Sequence, residues 1–195
     1  MPEKQGKVFV LSAPAGTGKT TLVKRLTEEF SNVVQSISYT SRKRRPNEVD
    51  GVDYHFVSKE EFERKLSQGE FLEHAQVYED YYGTNKEWVE KRLREGKHVF
   101  LVIDTQGAKQ IKKLIPAVFI FVFPPSLEEL RHRLEHRQTE RLEVIKERLS
   151  WSAKEIEAGK NYQYHIVNDE LEKAYTDLRK IVMTEDHSEE NIYGV

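Results

Sequence analysis

A chain of 195 residues, 37% hydrophobic and 33% charged, carries enough apolar material for one sizeable core, or a core with a small insert. Lys and Arg number 31 against 33 Asp and Glu, and this net charge of −2 argues against a protein that coats nucleic acid or an anionic membrane. There is no cysteine, which excludes disulfide scaffolds, Cys-ligated zinc and thiol catalysis and fits a reducing compartment. The opening MPEKQGK has no apolar signal core, and the longest greasy run, Ile115 to Pro125, is too short to span a bilayer. The expectation is a soluble, cytoplasmic, globular chain.

Val8 to Leu11 is a short continuous apolar run, as a strand buried on both faces needs. Leu22, Val23, Leu26 and Phe30 then recur at helical spacing. From about Ser36 to Tyr82 the rhythm changes. Polar and apolar residues alternate over Ser36–Tyr39, a turn falls at Val49-Asp50-Gly51, and Tyr54 to Val57 reads as a further strand. A small helix follows, with Ser58 and Glu61 as its capping pair, Phe62 and Leu66 on one face, and Gly69 as its stop. This stretch predicts a half-exposed antiparallel insert on a parallel core.

Val99 to Ile103 is a second buried-strand run. Gly107 to Leu114 is a helix stopped by Pro116, and Val118 to Phe123 is a third strand closed by Pro124-Pro125. Ser126 and Glu129 make a capping box before the stripe Leu127, Leu130, Leu134; Leu142, Ile145, Leu149, Ala153 and Ile156 make another, ending near Gly159. Tyr164 to Val167 reads as a strand. Asn168-Asp169 then caps a helix carrying Leu171, Tyr175, Leu178 and Val182, and an acidic tail runs from Thr184 to Val195. Alternating β and α segments with continuous apolar strands predict an α/β fold with a parallel sheet and helices on both faces.

The most informative motif is Ala13-Pro14-Ala15-Gly16-Thr17-Gly18-Lys19-Thr20. It fits a phosphate-binding loop (P-loop) between a buried strand and an amphipathic helix, except that Ala13 stands where the first glycine usually does. Backbone N–H groups of such a loop converge on phosphates, Lys19 neutralises the outer ones, and the Thr20 hydroxyl can hold Mg²⁺. Asp104 ends the Val99–Ile103 run at the carboxyl edge of a strand, where such sheets bind ligands. It is either a Mg²⁺ or substrate ligand or a simple helix N-cap. The run Arg42-Lys43-Arg44-Arg45 is either a solvated basic edge or a clamp in which Arg42 and Arg45 hold a second phosphate group with bidentate geometry.

From Gly6 to about Val182 the chain resembles guanylate kinase, a nucleoside-monophosphate kinase of the P-loop kinase superfamily. The resemblance rests on several motifs in order. They are the P-loop; Ser38 to Pro46 followed by Gly51-Val52-Asp53-Tyr54; Gly69 to Glu73; Tyr81-Tyr82-Gly83-Thr84; Ile103 to Gly107; Arg137 to Glu140; Arg148-Leu149; and Ile166 to Asp169. It implies a P-loop core (1–35, 88–130 and 148–183), a GMP-binding insert (36–87), a helical lid (131–147) and a tail (184–195). Ser38, Arg42, Arg45, Tyr54, Glu73, Tyr82, Thr84 and Asp104 would line the GMP pocket. Arg42, Arg45, Tyr54 and Tyr82 would donate to the GMP phosphate, and Glu73 would accept from guanine N1–H and N2–H₂ together, with Ser38 and Thr84 assisting. ATP would take the P-loop from Ala13 to Thr20, with Asn168 on the adenine side or serving only as a helix cap. Mg²⁺ would take Thr20 and, directly or through water, Asp104. Lys19, Arg42, Arg133, Arg137 and Arg148 would carry the transfer.

The chain departs from the family pattern at Ala13, Ser41, Lys43, Arg44, Val102, Thr105 and Gln138. The implied reaction, ATP + GMP ⇌ ADP + GDP, needs no general base because the attacking phosphate oxygen is already ionised at neutral pH. That agrees with the lack of a convincing His–Asp or Ser–His pair among 7 histidines. A different class with the same resemblance is a non-catalytic module that places a phosphorylated peptide in the monophosphate pocket; the intact Gly18-Lys19-Thr20 argues for the enzyme. A regulatory GTPase would need an Asn-Lys-x-Asp run, which the sequence lacks. The expected partners are therefore small nucleotides, in a monomer or homodimer.

Overall fold

The computed structural model describes residues 5–136 and 142–187. β1 (Val8–Ser12) is buried at every position. α1 (Lys19–Glu29) buries Leu22, Val23 and Leu26 as one stripe. β2 (Val33–Gln35), β3 (Tyr39–Thr40) and β4 (His55–Phe56) are strands of two or three residues. α2 (Lys59–Ser67) starts on Ser58, whose Oγ accepts from the Glu61 N–H at 3.1 Å. β5 (Phe71–Val77) and β6 (Asp80–Asn85) pair as an antiparallel hairpin. α3 (Lys86–Arg94) is capped by Asn85, which accepts from the Trp88 N–H at 2.8 Å.

β7 (His98–Val102) leads into α4 (Thr105–Leu114), and β8 (Val118–Phe123) into α5 (Leu127–His136), whose cap Ser126 accepts from the Glu129 N–H at 3.0 Å. α6 (Leu142–Gly159), β9 (Tyr164–Val167) and α7 (Leu171–His187) complete the chain. α7 carries Thr184 to His187 as helix, and the rest of the acidic tail lies outside the described residues.

Two compact units emerge: Met1–Val10 with Asn32–Ala117, and Leu11–Ser31 with Val118–Val195. In the first, the strand order β2-β7-β1 includes a parallel β2/β7 pair, and a second sheet runs β4-β3-β6-β5. In the second, the order β1-β8-β9 includes a parallel β8/β9 pair. Phe9, Phe100 and Leu101 are fully buried in the first unit, and Leu11, Ile120, Phe121 and Leu178 in the second. The expected mixed α/β architecture with a parallel sheet is present, with seven helices among the described residues.

One pairing differs from expectation. β3 and β4 run parallel, Tyr39 opposite His55 and Thr40 opposite Phe56, whereas β3/β6 and β5/β6 are antiparallel. The connection from Ser41 to Tyr54 is too long for a tight hairpin. It folds on itself instead, with Asp53 Oδ2 accepting from the Val49 N–H at 2.7 Å and Asp50 Oδ1 from the Phe56 N–H at 2.9 Å. The chain thereby re-enters the sheet in its original direction.

In the second unit, Arg25 of α1 grips Glu172 of α7 bidentately (2.6 and 2.9 Å), and its guanidinium lies 4.3 Å from the Tyr175 ring centroid. Glu29 accepts from Arg179 Nε at 2.6 Å and from the Tyr175 hydroxyl. The exposed charges add little individually, but the buried Tyr175 ring fixes the helix that follows the P-loop. At the end of α6, Gly159 is packed so closely that a Cβ would come within 2.5 Å of the Phe121 ring, itself fully buried. Gly159→Ala is expected to destabilise the chain by about 1–3 kcal/mol through overpacking, read as a lower urea midpoint at unchanged slope.

Candidate functional site

The P-loop lies in the second unit. Gly16 and Gly18 take φ of 92° and 83°, a region closed to most side chains, so glycine is demanded at both. Among the described residues Tyr78 is the non-glycine position with positive φ, so Ala13 sits in ordinary backbone and its departure from glycine introduces no strain. Thr17 is fully buried and donates from Oγ1 to the Pro14 carbonyl at 2.8 Å, while Lys19 Nζ donates to the Ala13 carbonyl at 3.2 Å. The loop therefore closes on its own main chain.

α2, α3, α4 and α5 begin on the side-chain caps Ser58, Asn85, Asp104 and Ser126. α1 begins on Gly18, which has no side chain to offer as a cap. Its first-turn N–H groups and the positive end of its dipole are thus presented to an anion. Thr20 is exposed in that same turn.

Asn168 is buried at the end of β9. Its Nδ2 donates to the Thr17 carbonyl at 2.6 Å, and a Cβ on Gly18 would come 2.8 Å from that nitrogen. Arg133, on α5, donates to Glu129 Oε1 at 2.9 Å and to the Asn168 carbonyl at 3.1 Å. Arg148 is half-buried on α6, its carbonyl accepting from Ser152 Oγ at 2.8 Å. Arg137, like Gln138 beside it, lies outside the described residues.

The residues expected on the acceptor side lie in the first unit, in two groups. Glu73 of β5 stands in register with Thr84 of β6; the Glu73 carboxylate is 3% exposed and accepts from Thr84 Oγ1 at 2.5 Å. Burial, opposed by the Thr84 bond and assisted by the nearby Asp104 charge, pushes its pKa up to about 7. Asp104 caps α4, Oδ1 accepting from the Gln106 and Gly107 N–H groups at 3.1 and 2.9 Å. Asp104 therefore serves as the cap of α4, and its charge also acts on Glu73.

In the second group Arg42 pairs bidentately with Glu48 (Nη1 to Oε2 3.0 Å, Nη2 to Oε1 2.7 Å), and Glu48 Oε2 also accepts the Arg45 N–H at 2.8 Å. The Arg42 guanidinium is 5.4 Å from the Tyr54 ring centroid, and the Tyr54 and Tyr82 rings meet edge-on at 5.9 Å. Burial opposes the charge on Arg42, but Glu48 and Tyr82 outweigh it and hold it cationic. Burial first, then Tyr82, raises the Tyr54 phenol. Arg45 is exposed, and Ser38 is half-buried just before β3, where its carbonyl accepts the His55 N–H at 2.9 Å.

Two further positions belong to this arrangement and escaped the sequence reading. Glu48 orients Arg42 and ties it to the Arg45 main chain. Gly107 leaves room for Glu73, since a Cβ there would lie 2.2 Å from Glu73 Oε2. The signal for Glu48 was its place three residues beyond the basic run; Gly107 closed the Ile103–Gly107 motif, but its constraint comes from a strand remote in sequence.

The chain matches the Guanylate kinase family over residues 5–185. It is 54% identical over 185 residues to a guanylate kinase of Protochlamydia amoebophila, covering 95% of this chain and 94% of that protein. It is 46% identical over 186 residues to one of Nitrosospira multiformis, covering 95% and 89%. Among solved structures, the guanylate kinase of Anaplasma phagocytophilum superimposes with a TM-score of 0.78 at 35% identity, over 94% of this chain and 87% of that one.

The raised Glu73 pKa fixes a pH effect on stability. Between its ordinary value and about 7 the folded chain holds a proton that the unfolded chain has released, so this group makes stability fall as pH rises through that window. Replacing Glu73 with Gln should flatten that slope, measured as the difference between urea unfolding free energies at pH 5 and 7.5. Equal slopes in parent and variant would show that Glu73 titrates normally.

Proposed function

The chain belongs to the guanylate kinase family, and from that membership we infer its reaction: transfer of the γ-phosphoryl group of ATP to GMP, giving ADP and GDP. The observation that carries catalysis, rather than phosphopeptide binding, is the intact P-loop running into a helix whose N-terminus has no side-chain cap. Relatives named guanylate kinase over nearly the whole chain support the same conclusion.

The roles of individual residues are our assignment. Lys19 and the first-turn N–H groups of α1 bind the ATP phosphates, with Asn168 on the adenine side. Arg42 and Arg45, with Tyr54 and Tyr82, take the GMP phosphate; the bidentate bond to Glu48 supports this by holding Arg42 ready before substrate arrives. Glu73 accepts two hydrogen bonds from guanine, a pattern adenine cannot present, with Ser38 and Thr84 assisting. Arg133, Arg137 and Arg148 balance charge on the phosphoryl group in flight. Water must be kept from the γ-phosphate, or ATP would be hydrolysed. The same donors suit dGMP, whose base and phosphate are unchanged.

The donor set suits Mg²⁺. Among the described residues no cluster of three or more His, Cys, Asp or Glu stands ready for a metal. Mg²⁺ needs no such cage, because it keeps waters and takes substrate phosphate oxygens. Thr20 would hold it in the first turn of α1, and it would neutralise the β- and γ-phosphates. Among the described residues no helix is long and apolar enough to cross a membrane, which accords with a cytoplasmic enzyme of small nucleotides.

In a coupled ADP-release assay with GMP as acceptor, Lys19→Met is expected to lower turnover about 10²- to 10³-fold, the usual loss for one transition-state donor, with the fold intact by circular dichroism. Turnover equal to the parent would remove the assignment. Glu73→Gln should erode the preference for GMP over AMP, on the order of 10-fold to 100-fold for a charged hydrogen bond. Unchanged selectivity would place guanine recognition elsewhere.

A further inference from the structure

β5 is the outer strand of the four-stranded sheet, and its open edge carries the main-chain groups of His74 and Gln76. Such an edge must be paired, covered or hydrated. Here it is met by two side chains of α4. Gln110 Oε1 accepts the His74 N–H at 3.2 Å while its Nε2 donates to the His74 carbonyl at 2.5 Å. One turn earlier, Gln106 Nε2 donates to the Gln76 carbonyl and to Asp104 Oδ2, both at 3.1 Å.

A carboxamide carries a donor and an acceptor in the relation a peptide unit has, so Gln110 stands where a neighbouring strand would. The spacing of four residues puts both glutamines on one helix face, and alternation along the strand puts His74 and Gln76 on one edge. Within this clasp lies Glu73, whose carboxylate rests against Gly107 with no room for a methyl group.

We propose that Gln106 and Gln110 are positioning residues for guanine selection: they splice α4 onto the free edge of β5 and so fix the Glu73 carboxylate against the first turn of that helix. The proposal rests on the assignment of Glu73 to the guanine base. Besides Thr84 from β6, the group facing that carboxylate is Asp104 at the start of α4, which Gln106 also restrains. A loosened clasp would let Glu73 drift from a site where its two acceptor oxygens are pre-aimed, and water would reach it.

The test compares Gln110→Leu and Gln106→Leu with the parent and with Glu73→Gln, using steady-state kinetics with GMP, AMP and ATP. Each Leu variant should raise KM for GMP about 5-fold, the worth of one hydrogen bond, and lower the GMP-over-AMP ratio by the same factor. KM for ATP should stay unchanged.

Leu variants that keep GMP KM and selectivity, while losing only thermal stability, would overturn the proposal. If Glu73→Gln erodes selectivity and the Leu variants do not, the clasp fails alone; if Glu73→Gln also leaves selectivity intact, the guanine assignment fails with it. Gln106 is exposed, so Gln106→Leu decides the matter should Gln110→Leu not fold.

Discussion

A carboxylate removed from water with a hydroxyl as its partner is the constraint around which the acceptor-side unit is organised. Glu73 is 3% exposed, bonded to Thr84, and feels the charge of another acid, Asp104. Desolvation of this kind is costly unless donors compensate it. A ligand offering two N–H groups in one plane supplies the missing donors. The surrounding features then have a common purpose: Gly107 lacks a side chain, Thr84 stands in register, and α4 is bound to the strand edge at His74 and Gln76.

The phosphate-binding half solves the opposite problem, holding positive potential in readiness without an anion. It does so by subtraction. Gly18 gives α1 no side-chain cap, so the orphan N–H groups of the first turn are left for phosphate oxygens. The loop keeps its shape through bonds from Thr17, Lys19 and Asn168 to its own carbonyls. Arg42 follows another route. A guanidinium half-removed from water is held by Glu48, which fixes the fork of donors and offsets its charge. The preorganised fork costs less ordering on binding than a mobile lysine would.

Much of this was legible in the sequence, for identifiable reasons. β1, β7 and β8 are continuous apolar runs, and Ser58, Asp104 and Ser126 announce helix starts through local bonds. β2 has three residues, too few for any periodicity, and α3 (KEWVEKRLR) buries one side chain, Val89, so its apolar stripe is faint. The parallel β3/β4 pair depends on the path of a long connection, which composition does not encode. Glu48, Gly107, Gln106 and Gln110 act on partners that topology brings to them. Their residue types are ordinary for a surface loop or helix, so position in the fold alone makes them informative.

A shifted titration usually points to the group that moves a proton. Here, under the role proposed for Glu73, it points to the group that reads a base. A phosphate monoester attacks as an anion at neutral pH, so the reaction calls for cations, alignment and dryness rather than a tuned base. On the proposed assignment the residue carrying the shift, Glu73, serves recognition, because discriminating guanine from adenine demands an acceptor pair left unsatisfied when the wrong base enters. An acid with an ordinary pKa on the surface would keep its water whichever purine arrived and would discriminate weakly. The displacement toward 7 and the selectivity therefore share one physical origin, the removal of water from a carboxylate that only a matching ligand restores.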